Sequence, residues 1–447
     1  MTPLRALVVS YVFPPVGGAG VQRVLKLVKY LPRYGVEADV LTARDPSVPL
    51  QDESLLRDVP PETRVLRART FEPGYATKRA AWQAVADARS NAKTSLKQRA
   101  VALGRRLLIP DPQLLWLPAA HLALGKRLLS TTPDDVVFIS GPPFSQFLLA
   151  SLSRLRKGTA LVLDYRDEWT MTSSAYEMSA TTRLNERLES SVLRRAHAIT
   201  TATEEFRETL LQRFPWLEPS RVHAIPNGYD PDDFEAPLAS PGRDRFVLTY
   251  SGTVFKLTSA AGFLEGLRRL HATEPELARR LEVRFVGRIV DTEARHFEGS
   301  EALGVTRFGY LEHTRALAHL AESHAALCIL DEVDGVERIY PAKIFEIMRL
   351  GRPCLALTPE GALSRLVRRH QLGEVVAPRD AEAIANALTG WLRAFRDAAP
   401  VPHTPLDIER FDRRLQAGEF ARVFRQAKEL AGRERDHSVL RRFVSVS

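Results

Sequence analysis

Short apolar runs alternate with helix-like segments in both halves of this chain, and this alternation limits the possible folds more than any other feature. The runs of the first half lie at 5–13, 37–43, 135–141, 160–167, 196–203 and 221–228. Those of the second half lie at 246–252, 281–287, 305–311, 325–331 and 353–359. Strands that alternate with helices predict parallel sheets covered by helices. We therefore expect an α/β fold made of two domains of similar kind.

A segment rich in proline, aspartate and small residues, 229–245, is typical of a linker between two such domains. The predicted domains are residues 1–235 and 240–410, and residues 411–447 are predicted to form a C-terminal helix and tail. The first domain contains an irregular basic insertion at about 71–130. A chain of 447 residues is also too long for one ordinary core. Ligands of parallel sheets bind beyond the carboxyl ends of the strands, so a cleft between the domains is the expected site.

Composition and cysteine usage favour a soluble globular protein of a reducing compartment. Hydrophobic residues make up 45% and charged residues 26% of the chain, which is ordinary for a globular protein. No apolar stretch reaches the roughly 18 residues that a transmembrane helix needs, and the N-terminus reads as a first strand, not a signal peptide. Cys328 and Cys354 lie in apolar contexts that predict buried thiols. We expect a cytoplasmic protein without a structural metal.

The formal net charge of +9 suits an anionic partner. Such a partner is a phosphorylated small molecule, an anionic membrane surface or nucleic acid. The basic residues are spread out and no stacking-aromatic motif accompanies them, so nucleic acid is not expected. The basic segment 76–108 predicts a solvated helix, with a helix on the membrane surface as the alternative.

A glycine cluster follows the first strand and opens a helix. Gly17, Gly18 and Gly20 would let backbone N–H groups approach an anion at that helix N-terminus. The spacing is neither GxGxxG nor that of a P-loop, and a plain tight turn explains the glycines equally well.

Four polar residues follow the strand that ends near position 163. Asp164, Arg166, Asp167 and Glu168 form a dense group at a strand's carboxyl end, where binding sites concentrate. The alternative is a strand-terminal turn that contains an exposed arginine–aspartate pair.

Two lysines in the second half lie near predicted helix N-termini, where the helix dipole repels a cation. Lys256 follows Gly252 and Thr253 in a strand–glycine–helix segment, and Lys343 begins the helix that contains Glu346. A diphosphate bound between the lysines would explain both, whereas the alternative is two unrelated surface lysines.

These motifs together resemble those of family 4 glycosyltransferases. The segments that carry the resemblance are FPPVGGAGVQRVLKLVKYLPRYGVEADVLT, IPNGYD, YSGT, FVG and YPAKIFEIMRLGRPCLAL. The resemblance covers nearly the whole chain and implies the GT-B fold, in which two Rossmann-like domains face a cleft. IPDPQLLWLP, SGPPFSQ and DYRDEWT are similar to a subgroup of bacterial polysaccharide and glycolipid assembly.

The resemblance also implies roles for individual residues. Glu346 matches the later glutamate of the family's E-x7-E signature, which holds ribose hydroxyls. Lys343 and Lys256 match basic positions near the donor diphosphate, and Gly17 with Gly18 matches the loop that closes on phosphate and sugar. The implied donor-binding residues are Gly17, Gly18, Gly252, Thr253, Lys256, Lys343 and Glu346.

Two positions depart from the family pattern. Arg338 stands where the signature has its first glutamate, with Glu337 one place away. Many relatives carry a histidine where this chain has Arg166 or Asp167, so we expect one of these two to contact the sugar. The catalytic candidates are therefore Asp167, Arg166 and Lys343.

The function that the resemblance implies is transfer of a sugar from a nucleotide-sugar donor, with retention of configuration and without a metal or other cofactor. The acceptor is expected to be a hydroxyl of a polysaccharide or glycolipid, including a lipid-linked one, at the inner face of a membrane. An epimerase or hydrolase of nucleotide sugars is one alternative. A non-catalytic subunit that binds a sugar nucleotide is the other, since the first glutamate is missing.

Overall fold

The computed structural model describes residues 3–48, 50–75, 108–170, 182–235, 239, 241–399, 401 and 403–444, with backbone only at 19, 154, 182 and 436–444. The basic segment 76–108, predicted as a solvated helix with a membrane-surface helix as the alternative, lies outside these ranges except for its last residue. The chain divides into two compact units, residues 1–225 with 416–447, and residues 226–415. No helix among the described residues has the length and apolar character needed to span a membrane.

The first unit contains a parallel sheet of seven strands in the order β3-β2-β1-β4-β5-β6-β7. The strands are β1 (Leu4–Val9), β2 (Val36–Arg44), β3 (Val65–Arg69), β4 (Val136–Gly141), β5 (Ala160–Tyr165), β6 (Ala198–Thr201) and β7 (Val222–Ala224). β4 and β5 are buried at every position, which explains why they read as continuous apolar runs. The strand order reverses between β1 and β4, where ligands of such sheets bind.

Helices cover both faces of this sheet. They are α1 (Ala19–Tyr30), α2 (Leu117–Leu128), α3 (Thr182–Leu193) and α4 (Glu204–Arg213), with a 3-10 helix at Phe144–Leu155. α1 begins after Gly18, whose φ of +97° suits glycine. Its apolar stripe, which includes Val24 and Val28, is completely buried.

The second unit contains a parallel sheet of six strands in the order β10-β9-β8-β11-β12-β13. The strands are β8 (Phe246–Ser251), β9 (Leu281–Val286), β10 (Val305–Gly309), β11 (Ala325–Ile329), β12 (Cys354–Leu357) and β13 (Gly373–Val376). The helices are α5 (Ala261–Thr273), α6 (Pro275–Ala278), α7 (Asp291–Ala294), α8 (His313–Ala321), α9 (Lys343–Leu350), α10 (Ala362–Arg369) and α11 (Ala381–Arg396).

The last helix, α12 (Arg413–Val444), begins in the second unit and packs on the core of the first. Phe420 and Phe424 lie against Phe138 of β4, with ring centroids 5.6 and 5.3 Å apart. The predicted α/β class, with two Rossmann-like sheets and a helical C-terminus, is confirmed.

Residues 229–234 are part of the second unit, although the sequence predicts a linker there. Tyr229 is buried, and its backbone N–H donates to the Phe411 carbonyl at 3.0 Å. Its own carbonyl accepts from the Arg413 N–H at 3.0 Å. A buried tyrosine and two backbone hydrogen bonds fix a segment whose proline and aspartate content alone indicates a loop.

Candidate functional site

Lys343 is the first residue of α9, whose boundaries follow local sequence signals. The helix ends at Gly351 in the left-handed conformation, with φ of +60°. The side chains that α9 buries on one face are Ile344, Phe345, Ile347 and Met348. This apolar face anchors the helix and fixes where Lys343 and Glu346 lie.

The ammonium of Lys343 is buried and has no hydrogen-bond partner in the described part of the chain. Its Nζ lies over the face of the Tyr250 ring, 3.5 Å from the centroid. The ring's negative face attracts the cation, but it satisfies none of the N–H donors of an ammonium. A buried cation with unused donors, at the carboxyl end of β8, is suited to an anionic ligand.

Gly252 creates the space that this ammonium occupies. A β-carbon at Gly252 would lie 2.9 Å from Lys343 Nζ. The glycine has φ of +135°, and its N–H donates to the Val286 carbonyl at 2.8 Å. It packs backbone to backbone on Gly287, where an added β-carbon would lie 2.1 Å from the Gly252 oxygen. Glycine is therefore required at 252 by its conformation and by its contact with the lysine.

Two hydrogen bonds to its backbone carbonyl hold Thr253 in place. Its carbonyl accepts from the Tyr250 hydroxyl at 2.9 Å and from Thr258 Oγ1 at 2.8 Å. The same tyrosine therefore positions both the loop and the Lys343 ammonium. Lys256 starts a 3-10 turn and its side chain is exposed, in contrast to that of Lys343.

Glu346 lies in the first turn of α9 and accepts from His313, the first residue of α8. The Glu346 Oε1 atom is 2.8 Å from His313 Nε2. An ionised carboxylate only accepts, so Nε2 carries the proton. On the other side of the imidazole, Nδ1 is 3.9 Å from Asp233 Oδ2. Sequence reasoning missed His313, although a histidine shortly after β10, beyond a strand's carboxyl end, is the kind of signal that identified the other candidates.

Arg338, the departure from the family signature, forms an ion pair with the neighbouring Glu337. The backbone of Glu337 is closely packed, because a β-carbon at Gly361 would lie 2.5 Å from its Cα. The paired charges of 337 and 338 thus lie on a fixed turn.

Arg166 connects two loops at the carboxyl edge of the first sheet. Its guanidinium donates to the backbone carbonyls of Gly20 and Pro142, and its Nε donates to the Gly141 carbonyl at 3.2 Å. Gly20, the last residue of the glycine cluster, is therefore tied to the loop that follows β4. The structure gives Arg166 a positioning contact that its place in the sequence does not reveal.

Asp164 is completely buried, whereas Arg166 and Asp167 of the same segment are only half-buried. Its carboxylate accepts from Arg23 Nη2 at 2.8 Å, from Ser140 Oγ at 2.6 Å and from Thr200 Oγ1 at 2.6 Å. Burial acts to raise the pKa of Asp164, but the Arg23 charge and the hydrogen bonds outweigh it and hold the pKa below its usual range. Asp164 thus links β5 to α1, β4 and β6.

Asp167 is half-buried and forms no hydrogen bond with another described residue. Burial raises its pKa above the ordinary value although the Arg166 charge opposes the shift. Of the two catalytic candidates in this segment, Asp167 therefore keeps its polar atoms available.

Replacing Arg166 by alanine is expected to loosen the glycine cluster. Amide hydrogens of residues 17–21 should exchange with solvent about tenfold faster, because hydrogen bonds to a charged group contribute roughly 1.5 kcal/mol or more. Arg207→Ala is a matched control, since Arg207 also binds backbone carbonyls, those of Val222 and Pro219. Unchanged exchange at 17–21 in the Arg166 variant would contradict the anchoring role.

Two family models match the chain, one in each unit. The glycosyl transferase 4-like domain matches residues 17–228, and the domain of glycosyl transferases group 1 matches residues 246–394. The chain belongs to the family 4 glycosyltransferases. The predicted family membership is thereby confirmed, and glycosyl transfer is its general activity. No curated protein matches the chain.

Solved structures show that this glycosyltransferase has the GT-B fold. Anabaena HepE, solved with UDP and glucose, has a TM-score of 0.55 at 13% identity, covering 97% of this chain and 100% of that chain. WaaG, a glycosyltransferase involved in lipopolysaccharide biosynthesis, has a TM-score of 0.53 at 16% identity, covering 95% and 98%. The N-terminal domain of trehalose-6-phosphate phosphatase from Candida albicans has a TM-score of 0.58 at 12% identity, covering 97% of each chain.

Proposed function

We propose that this protein is a retaining glycosyltransferase that moves a sugar from a nucleotide-sugar donor to a hydroxyl of a polysaccharide or glycolipid. The observation that carries the proposal is the buried, unpartnered ammonium of Lys343 beside Gly252. The solved complexes of Anabaena HepE with UDP and with UDP-glucose support the donor class.

Lys343 is proposed to bind the donor diphosphate. A diphosphate oxygen at Nζ would give the ammonium the hydrogen bonds that Tyr250 does not supply. The absence of a side chain at Gly252 leaves room for the ammonium itself, since a β-carbon there would lie 2.9 Å from Nζ. Lys256, exposed in the same loop, would supply a second positive charge.

Glu346 is proposed to accept from a ribose hydroxyl. Its Oε1 atom is engaged by His313, and Oε2 is left for the ligand. Diphosphate and ribose would then be held by side chains one helical turn apart on α9.

The proposed reaction is a displacement on one face of the sugar. The bond between the anomeric carbon and the diphosphate oxygen breaks, and the acceptor oxygen bonds to that carbon on the same face. The acceptor proton passes to the departing phosphate, and the charge that develops there is stabilised by Lys343. This scheme uses lysine charge in place of a metal ion. The roles of Gly17, Gly18, Arg166 and Asp167 toward the donor, and a lipid-linked acceptor at a membrane, stay predictions.

Thermal unfolding in the presence of UDP, GDP, ADP and TDP, followed by their sugars, tests the donor class. A ligand at a hundredfold excess over its Kd stabilises the folded state by about 2.7 kcal/mol. We expect one base to give a clear shift. No shift with any of the four at millimolar concentration would overturn the proposal.

The sugar nucleotide that binds then distinguishes the alternatives. A retaining transferase forms a new glycoside with the donor's anomeric configuration, visible by NMR, only when an acceptor is present. Conversion of the donor without an acceptor would identify an epimerase or hydrolase. Binding without turnover across saccharide and glycolipid acceptors would identify a non-catalytic subunit.

A further inference from the structure

Glu346 has one hydrogen-bond partner among the described residues, and that partner is His313. The two side chains belong to different helices, since His313 begins α8 and Glu346 lies in the first turn of α9. The contact therefore depends on tertiary packing.

A glutamate that has to accept from a ligand gains from being held in place. The Glu346 side chain is 23% exposed, and a glutamate side chain that is not fixed loses rotamer entropy when it binds a ligand. The His313 N–H at 2.8 Å fixes Oε1 and so directs Oε2.

A second carboxylate lies on the other side of the His313 imidazole. Asp233 is 7% exposed, and its Oδ2 atom faces Nδ1 at 3.9 Å. Asp233 lies on the 3-10 turn Pro231–Phe234, in the segment whose buried Tyr229 ties it to the second unit. At 3.9 Å these two atoms are too far apart for a hydrogen bond, so Asp233 is a nearby negative charge and not a hydrogen-bond partner of Nδ1.

We infer that His313 is a positioning residue that holds Glu346 for the ribose of the donor. This inference rests on the proposed function, because it takes Glu346 to be the ribose acceptor. It predicts that His313 controls the discrimination between ribose and a sugar that lacks hydroxyls. A site built to hydrogen-bond a hydroxyl rejects an analogue without it.

The test compares the wild-type protein with two variants. His313→Leu removes the N–H that donates a hydrogen bond to Glu346, whereas the amide N–H of His313→Gln can still reach Glu346. Calorimetry measures the affinity of whichever of UDP, GDP and ADP binds most tightly, of its 2′,3′-dideoxy analogue and of inorganic pyrophosphate. We expect His313→Leu to lower the preference for the ribonucleotide over the dideoxy analogue by about tenfold. Pyrophosphate should bind all three proteins equally, and His313→Gln should recover part of the preference.

The possible outcomes distinguish failure of the positioning role of His313 from failure of the proposed function. An unchanged ribose preference in His313→Leu overturns the positioning role and leaves the proposed function intact. A loss of pyrophosphate affinity in the same variant also overturns it, because the change would then have disturbed α9 and Lys343. If the wild type binds none of UDP, GDP, ADP and TDP, the proposed function fails and this inference fails with it. Binding of TDP alone, which lacks the ribose 2′-hydroxyl, would leave the proposed function intact and overturn this inference. In a Glu346→Ala background, His313→Leu should have no further effect on the preference.

Discussion

Replacing Lys343 by methionine is expected to weaken nucleoside diphosphate binding by about 1.5–3 kcal/mol, which is roughly 10- to 150-fold in Kd. Methionine keeps the apolar stem that packs beside Tyr250 and removes only the charge and its N–H donors. The loss should be the same for pyrophosphate, since we place the diphosphate, not the nucleoside, on this ammonium.

The same variant is expected to melt at a higher temperature than the wild type in the absence of ligand. Desolvating an unpaired ion costs several kcal/mol, whereas the lost cation–π contact contributes about 0.5–2 kcal/mol. A net gain of about 1 kcal/mol in the free energy of unfolding is typical of substitutions that relieve a functional strain.

Lys256→Met is the matched control, because Lys256 lies in the loop after Gly252 but its side chain is exposed. It should leave the melting temperature unchanged and weaken binding less than the Lys343 variant does. A Lys343 variant with wild-type affinity for both nucleotide and pyrophosphate would contradict the assignment of the diphosphate site.

Breaking the buried pair of Arg23 and Asp164 is expected to have the largest effect on stability. Arg23→Met should lower the free energy of unfolding of the first unit by about 3–5 kcal/mol, since it leaves a buried carboxylate without its counter-charge. Ser140 and Thr200 would still donate to Asp164, but neutral donors do not replace the guanidinium. Denaturant unfolding followed by circular dichroism measures this loss.

The loss should depend on pH in a defined direction. The pKa of Asp164 is below its usual range in the folded state, so the pair stabilises the fold above the pKa of an unfolded aspartate, about 3.9. That contribution disappears as the pH falls through the lower folded pKa. The gap between wild type and Arg23→Met should therefore be full near neutrality and narrow in acid.

An exposed pair provides the control for this experiment. Arg279 and Glu276 are 2.6 Å apart with side chains 70% and 81% exposed. Arg279→Met should change stability by less than about 0.5 kcal/mol. A comparable loss in both variants would show that burial does not decide the effect at Asp164.

The central strands could be predicted from the sequence, but β3 and β13 could not. Val65–Arg69 contains two arginines, and Gly373–Val376 is short and begins with glycine. Both strands lie at the edge of a sheet, where short and polar strands protect against unwanted pairing. The opposite edge strands, β7 and β10, do lie within predicted runs, so a search for apolar runs fails where an edge strand is polar or very short and not at every edge.

The candidate site was predictable where the signal is local. Lys343 is recognisable because a cation at a helix N-terminus opposes the dipole. Its contact with Gly252 is not, because tertiary packing alone brings these positions together. The contact of His313 with Glu346 escapes sequence reasoning for the same reason. For Arg166 the predicted contact with the sugar stays a prediction, and its hydrogen bonds to backbone carbonyls could not be predicted because they too depend on tertiary packing.

The position of α12 in the core of the first unit affects how the protein is made. A domain usually folds as soon as it leaves the ribosome, but here Phe138 faces its partners Phe420 and Phe424 only after nearly the whole chain has been synthesised. Arg23 likewise lacks its contact with the Phe420 ring, whose centroid is 5.0 Å from the guanidinium carbon, until α12 has been synthesised. The second unit is continuous in sequence and meets no such delay. The unit that begins the chain is thus the later one to complete its core, and a chain cut short before α12 would leave an apolar surface open to aggregation.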